Sequence, residues 1–187
     1  AFGTYDVILI AVNDCMSDAD TVVNAVTVNS LGVQAAGGAV DCNGDSDATA
    51  VASPIGGSPV FDFQWDALAG NQTTATASGL KAGVYAVTLT DGNGCTANAS
   101  TTTTEPTTLS LTSSSSSDPL CNNGTDGTIT VTASGGTTNY SYDIGSRSQS
   151  LGSFNSLSGI AYTVTVTDLN GCTTTTSTTL NNPSAVT

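Results

Sequence analysis

Three stretches of the chain alternate apolar and polar positions and end on the same punctuation. Gly83–Cys95 reads GVYAVTLTDGNGC, Tyr162–Cys172 reads YTVTVTDLNGC, and Gly3–Cys15 reads GTYDVILIAVNDC. In each, a tyrosine stands ten residues before a cysteine, at 5 and 15, 85 and 95, and 162 and 172. Tyr85, Val87 and Leu89 alternate with Ala86, Thr88 and Thr90; Tyr162, Val164 and Val166 alternate with Thr163, Thr165 and Thr167. Period two with β-branched and aromatic residues predicts a strand with one face on a core and the other in water. Asn93-Gly94 and Asn170-Gly171 then offer the positive-φ pair of a two-residue hairpin turn, and the Thr/Ser-rich segments beyond Cys95 and Cys172 are the returning strands. An aromatic, an apolar row, a turn and a cysteine at fixed offsets, three times over, predict a tandem supersecondary repeat.

The rest of the chain keeps this register. Cys42 and Cys121, Asp47 and Asp126, Gly56-Gly57 and Gly135-Gly136, and Phe61 and Tyr140 all lie 79 apart, whereas Tyr85 and Tyr162, like Cys95 and Cys172, lie 77 apart. The later copy is therefore two residues shorter internally. Each full copy reads as a lead-in strand, a Cys-Asn turn, a strand (Thr49–Ser53; Thr128–Ala133), a Gly-Gly turn and an aromatic strand (Phe61–Trp65; Tyr140–Ile144). A short strand near Thr74–Ser78 or Ser150–Ser156 and the closing hairpin follow. Six or seven short strands in so few residues predict an all-β fold of tandem Ig-like β-sandwich units in an extended rod. The expected domains are residues 1–30, 31–106 and 107–187, with Glu105-Pro106 and Asn182-Pro183 marking unit ends. The first holds only a hairpin, Tyr5–Val12 with Thr21–Val28, and is incomplete alone. Its strand Val7–Val12 is apolar on both faces and calls for cover from preceding sequence or another subunit.

Composition and charge narrow the function classes. Fifteen acidic residues face two basic ones, Lys81 and Arg147, for a net charge of −13. Nothing here neutralises a phosphate backbone or an anionic membrane surface, so nucleic acid is excluded as a partner and so is membrane insertion, since no apolar run approaches the ~20 residues of a spanning helix. There is no histidine, so no Ser-His or Cys-His arrangement exists in the chain. Asp62 and Asp66, a conceivable glycosidase pair, read more simply as the wet side of a strand. The expectation is a protein that is not an enzyme. No signal peptide opens the chain, which is expected to be a mature or interior segment of a longer precursor.

The stretch CNNGTDGTITVTASGGTTNYSYDIG, continued by SGIAYTVTVTDLNGC, resembles the SprB repeat of Bacteroidota cell-surface adhesins, and CNGDSDATAVASPIGGSPVFDFQWDALAG with SGLKAGVYAVTLTDGNGC is a second copy. The likeness covers roughly residues 31–183. One copy departs from the pattern: Asp47-Ala48 stands where the other keeps Asp126-Gly127, a difference expected to alter only a turn. Residues 1–30 resemble the last hairpin of a PKD-type β-sandwich. The resemblance implies an extracellular protein exported by type IX secretion and used in adhesion or gliding.

Candidate chemistry is sparse. By equivalence within the repeat, Cys42 is expected to pair with Cys95 and Cys121 with Cys172 in disulfides that suit small secreted domains, the alternative being buried free thiols. Cys15 is left over as an unpaired or inter-unit thiol. With no His and no Cys-x-x-Cys, zinc has no ligand set. Asp41, Asn43, Asp45 and Asp47 alternate like the oxygen ligands of a calcium loop, although Asx residues at turns give the same letters. No other cofactor is expected. Trp65, with Phe61 and Phe63, is either a sugar-stacking platform or sandwich core. Asp20-Thr21-Val22 resembles a short O-glycosylation motif of Bacteroidota exported proteins, which makes Thr21 a glycan candidate and the chain an expected glycoprotein.

Two functions compete at this point. One is an extracellular structural protein, a subunit or segment of a surface filament or adhesin, joined head to tail through residues 1–30 and contacting copies of itself or neighbouring repeats. The other is a carbohydrate- or surface-binding adhesin repeat within one very long chain, with surface glycans as partners.

Overall fold

A computed structural model describes residues 3–12, 17–28 and 30–185. Among these the chain is all-β, with a single 3-10 turn, and its folded units are Ig-like β-sandwiches. Two compact units emerge, Ala1–Gly38 with Thr49–Thr103, and Ala39–Ala48 with Thr104–Thr187.

The first unit opens with β1 (Gly3–Val12) and β2 (Ser17–Val28), an antiparallel pair forming a two-stranded sheet of its own, with a register shift between Tyr5 and Val7. Cys15 lies outside the described residues, and so does the side chain of Thr21 within β2. Two three-stranded sheets follow. One orders β3 (Gly32–Gly37), β4 (Ala48–Ile55) and β6 (Thr76–Leu80); the other orders β5 (Asp62–Trp65), β7 (Gly83–Thr90) and β8 (Thr96–Thr103). Strict alternation along β4 buries Ala48, Ala50 and Ala52, and along β7 buries Tyr85, Val87 and Leu89. The Tyr85 hydroxyl donates to the Lys81 carbonyl at 3.0 Å, four residues back, so the side chain is buried with its polar end paired.

The second unit repeats the plan. One sheet orders β13 (Ser153–Leu157), β10 (Gly127–Ser134) and β9 (Ser110–Ser117). The other orders β12 (Ser148–Gln149), β11 (Ser141–Asp143), β14 (Ala161–Thr167) and β15 (Thr173–Thr179). Ile129, Val131, Phe154 and Leu157 from the first sheet and Tyr142, Val164 and Val166 from the second form one buried cluster, completed by Ile144 and Leu180. This is a sandwich core drawn from both inner faces.

The predicted hairpins are present, but their turns are not two-residue turns. Thr90 pairs with Thr96 and Thr167 with Thr173, leaving five-residue loops. In each, Gly94 or Gly171 has positive φ while Asn93 and Asn170 do not. The Gly94 amide bonds the Asp91 carbonyl at 2.9 Å and the Asp91 amide bonds the Cys95 carbonyl at 2.9 Å, a tight turn followed by a left-handed glycine. The aspartate ahead of the turn decides this geometry. The departure at Ala48 is likewise not a turn effect, since Ala48 is a buried residue of β4 and Gly127 opens β10.

Candidate functional site

The motif letters converge on a carboxylate. Asp91, 7 % exposed, accepts the amides of Asn93 (3.0 Å) and Cys95 (2.9 Å) through Oδ1 and that of Ser58 (3.0 Å) through Oδ2. Asp168, 5 % exposed, does the same with Asn170 (3.0 Å), Cys172 (2.9 Å) and Thr137 (2.8 Å). Each carboxylate thus ties its hairpin loop to the amide just after its Gly-Gly turn. The turn must be glycine where the carboxylate presses on it: a Cβ on Gly57 would lie 3.2 Å from Asp91 Oδ2, and one on Gly136 would collide with Asp168 Oδ2. The Ser58 amide, then those of Cys95 and Asn93, hold the Asp91 carboxyl below its usual range against the opposing effect of burial. Sequence reading quoted both aspartates in the motif without assigning them this task; the shared spacing of Gly-Gly, Asp and Cys was the available signal.

The second convergence is at the leading turns that carry Cys42 and Cys121. Asn43 Nδ2 donates to the Pro106 carbonyl at 3.0 Å and the Gly44 amide to Glu105 Oε2 at 2.9 Å. In the later copy Asn122 Nδ2 donates to the Pro183 carbonyl at 2.6 Å and the Asn123 amide to Asn182 Oδ1 at 2.8 Å. Each leading turn therefore grips the proline-containing segment that ends its own repeat.

Within the second unit this grip brings Cys42 to Cys172. The two are bonded, with Cα atoms 5.7 Å apart and a sequence separation of 130. Asn170 Nδ2 donates to the Asp41 carbonyl at 3.0 Å, and Thr108 Oγ1 to Asn43 Oδ1 at 2.8 Å, so both sides of the bond are held. The expected pairs Cys42–Cys95 and Cys121–Cys172 are therefore corrected. Residues 39–48, held to Glu105 and Pro106, pack as part of the second unit, beside the 168–172 loop, whereas Cys95 belongs to the first. Cys95 and Cys121 are free and exposed. Closing so long a loop stabilises the folded chain by about 5 kcal/mol in the chain-entropy account.

Two of the four calcium candidates, Asn43 and Asp47, use their side chains otherwise. Asp47 Oδ1 accepts the Asp41 amide at 3.2 Å, the Asn43 side chain bonds Pro106 and Thr108, and the Asp45 amide bonds the Cys42 carbonyl at 3.1 Å. The contacts of Asp47 and Asn43 are made by Asx side chains and that of Asp45 by its backbone, and no group of three or more His, Cys, Asp or Glu suited to a metal occurs among the described residues. Trp65 is no sugar platform: it is 0 % exposed and its indole nitrogen donates to the Thr74 carbonyl at 2.9 Å. Alternation along β5 turns it inward, because a fully apolar indole face gains more in the core than in water. Asp66 serves the backbone, accepting the Ala69 amide at 3.0 Å and the Ala86 amide at 2.8 Å, while Asp62 is exposed. No described helix is long and apolar enough to cross a membrane.

Solved structures with a similar course include the N-terminal eight Ig domains of Down syndrome cell adhesion molecule isoform 1.30.30 (TM-score 0.40, 13 % identity, covering 95 % of this chain and 27 % of that one). Others are the extracellular domains 3–5 of Drosophila OTK (0.37, 15 %, 80 % and 61 %) and Sidekick-1 immunoglobulin domains 1–4 (0.37, 14 %, 95 % and 58 %). The chain thus spans less than two thirds of each of these proteins, and the strand registers above, not these likenesses, carry the fold. No curated protein matches the chain in sequence. The family model of the SprB repeat does match, at residues 40–70 and 113–146, each match starting at or ahead of a leading turn and running through its Gly-Gly turn, so these two stretches are what the chain shares with the SprB repeat.

Proposed function

We propose that this chain is an extracellular structural protein, a segment or subunit of a surface filament or adhesin assembled from tandem β-sandwich repeats. The two SprB-repeat matches support a cell-surface, adhesin-type repeat protein with a structural rather than catalytic task. The observation that carries the reading is the duplicated grip of Asn43 on Pro106 and of Asn122 on Pro183. A short connection held by a side chain at the same place in each copy fixes how a repeat ends. That is what a load-bearing series of modules needs and what an isolated binding domain does not. Its proposed partners are copies of itself or neighbouring repeats, and residues 1–30 are the segment proposed to engage a neighbouring subunit. Export by type IX secretion and glycosylation at Thr21 belong to the same reading. The sugar-binding alternative loses its platform, since Trp65 is buried.

The test is the intact mass of native material under reducing and non-reducing conditions, with electron microscopy of the same sample and surface labelling of intact cells. Ordered fibres or long surface chains that label with antibody to residues 31–183 support the proposal. Material found only inside cells, or turnover of a polysaccharide by the purified chain, overturns it.

A further inference from the structure

The bond from Cys42 to Cys172 joins a leading-turn cysteine to the hairpin-loop cysteine of the repeat that follows. Moving one repeat along the chain replaces Cys42 by Cys121, and moving one repeat back replaces Cys172 by Cys95. Both are free, exposed thiols, and both keep the local geometry of their bonded counterparts. The Cys121 turn is closed by the Gly124 amide on the Cys121 carbonyl at 2.8 Å, and the Leu120 amide on Asp126 Oδ1 at 3.1 Å repeats the Asp41–Asp47 contact. It is also gripped to Pro183 as the Cys42 turn is to Pro106. The Cys95 loop is held by Asp91 with the same two amide contacts, at 3.0 and 2.9 Å, that Asp168 makes around Cys172.

We propose that Cys121 and Cys95 are the two halves of one covalent joint, closed between copies of this chain. The inference rests on the tandem-repeat reading above and adds the chemistry that locks one repeat to the next. Each free cysteine lacks what the other supplies: Cys121 needs a hairpin-loop cysteine, and Cys95 needs a leading-turn cysteine. The internal bond shows both in register. In the joint, Asn93 Nδ2 of one copy exchanges its present 2.6 Å contact with Ser58 Oγ for the carbonyl of Leu120 of the other, as Asn170 bonds the Asp41 carbonyl. Leu120, 82 % exposed, is covered by the incoming loop. Forming the bond breaks two S–H bonds and makes one S–S bond. Two electrons and two protons leave the sulfurs and reduce an external disulfide, such as glutathione disulfide, to its two thiols.

The experiment oxidises the full chain carrying Cys15→Ser with glutathione disulfide, then reads non-reducing gels and disulfide-linked peptides by mass spectrometry. Expected is a ladder of covalent oligomers with Cys42–Cys172 inside each copy and Cys121–Cys95 between copies. Adding Cys95→Ser or Cys121→Ser abolishes the ladder, and an equimolar mixture of those two variants gives dimers and nothing longer. A chain that forms Cys42–Cys172 but stays monomeric overturns the joint, as do Cys95–Cys95 or Cys121–Cys121 links in yields equal to the mixed pair. Cys15→Ala replaces the serine variant if Cys42–Cys172, the internal check on folding, fails to form. The surface-protein reading is judged separately by native mass and cell labelling, so the two can fail independently.

Discussion

The two SprB-type units fill the same positions in opposite ways. In the second, Ile129, Val131, Phe154 and Leu180 are buried; the same register places in the first unit Ala50, Ala52, Ala77 and Thr103, all buried as well. The first unit instead has Trp65 where the second has Ile144. At these five positions the first unit concentrates its apolar surface in a single indole, with small residues at the other four, and the second spreads it over several aliphatic and aromatic groups. The backbone accommodates the difference where the units differ in length. The extra two residues of the first unit fall between Trp65 and Ala77, in the stretch containing the 3-10 turn Ala67–Ala69 and Thr74, whose carbonyl takes the indole N–H. A buried tryptophan requires an acceptor, and the longer connection supplies one. The comparison teaches that the repeat specifies strands and turns tightly and core volume loosely.

The largest predicted asymmetry follows from that concentration. Trp65→Ala should destabilise the first unit by about 3–5 kcal/mol, whereas Ile144→Val in the second should cost about 0.5–1.5 kcal/mol. Hydrogen exchange resolved by peptide reads the two units separately. Equal losses of protection in both would break the comparison.

Next in size is a steric test of how core positions trade volume. A Cβ on Gly127 would lie 2.8 Å from the Leu157 carbonyl oxygen and 2.9 Å from Leu180 Cδ1. The earlier copy of the repeat carries Ala48 at the register position of Gly127 and the smaller Thr103 at that of Leu180. Gly127→Ala should therefore cost about 1–3 kcal/mol through overpacking, and Leu180→Thr in the same chain should recover part of that loss. Strict additivity of the two changes, measured by chemical unfolding, would show that the pair is not coupled. Thr103→Val should cost less, about 1 kcal/mol. The Thr103 hydroxyl bonds the carbonyls of Lys81 at 2.5 Å and Gly83 at 3.3 Å, and the Tyr85 hydroxyl still serves Lys81 after the change. A loss as large as that of Trp65→Ala would mean that this polar anchor, not the indole, holds the first unit.

Strand placement was legible because a half-buried strand writes its period directly into the letters: β7 and β14 follow the Tyr-Val-Leu and Tyr-Val-Val rows, and β4 and β10 follow the expected spans with one or two residues added at the ends. The Gly-Gly turns were legible for a related reason, since Gly56, Gly57, Gly135 and Gly136 all have positive φ. The disulfide was not legible. Repeat equivalence says that a leading-turn cysteine meets a hairpin-loop cysteine, but it is silent on whether the partner lies in the same copy or the next, and the Asn43 grip on Pro106 decides that. The role of Asp91 and Asp168 was hidden because an aspartate before Asn-Gly reads as an ordinary turn former. Only the fold brings Ser58 and Thr137 to their second oxygens.

That carboxylate gives the smallest and most condition-dependent prediction. Asp91 in the folded first unit titrates below its usual value, because the amides of Ser58, Cys95 and Asn93 favour the ionised form. A group whose pKa is depressed on folding stabilises the native state at pH values above the unfolded pKa, about 3.9 for aspartate, and that contribution is lost as pH falls through the lower folded value. Stability of the first unit should be flat from neutral pH down to about 5 and then decline in acid. Trp65 is the chain's single tryptophan, so its fluorescence during denaturant titrations at fixed pH follows the first unit alone. Asp91→Asn should flatten the acid decline. The second unit has an acid-sensitive contact that the earlier copy of the repeat does not have at the same register position: Asp118, which stands where that copy has Ala39, is held below its usual range by the Asn181 amide and then by the Asn181 side chain. Asp118→Ala should therefore flatten the acid response of the second unit, read by hydrogen exchange of residues 173–183, and leave the Trp65 signal unchanged. If Trp65 fluorescence instead shifts with Asp118→Ala, the acid responses of the two units are coupled and the unit-by-unit account of stability fails.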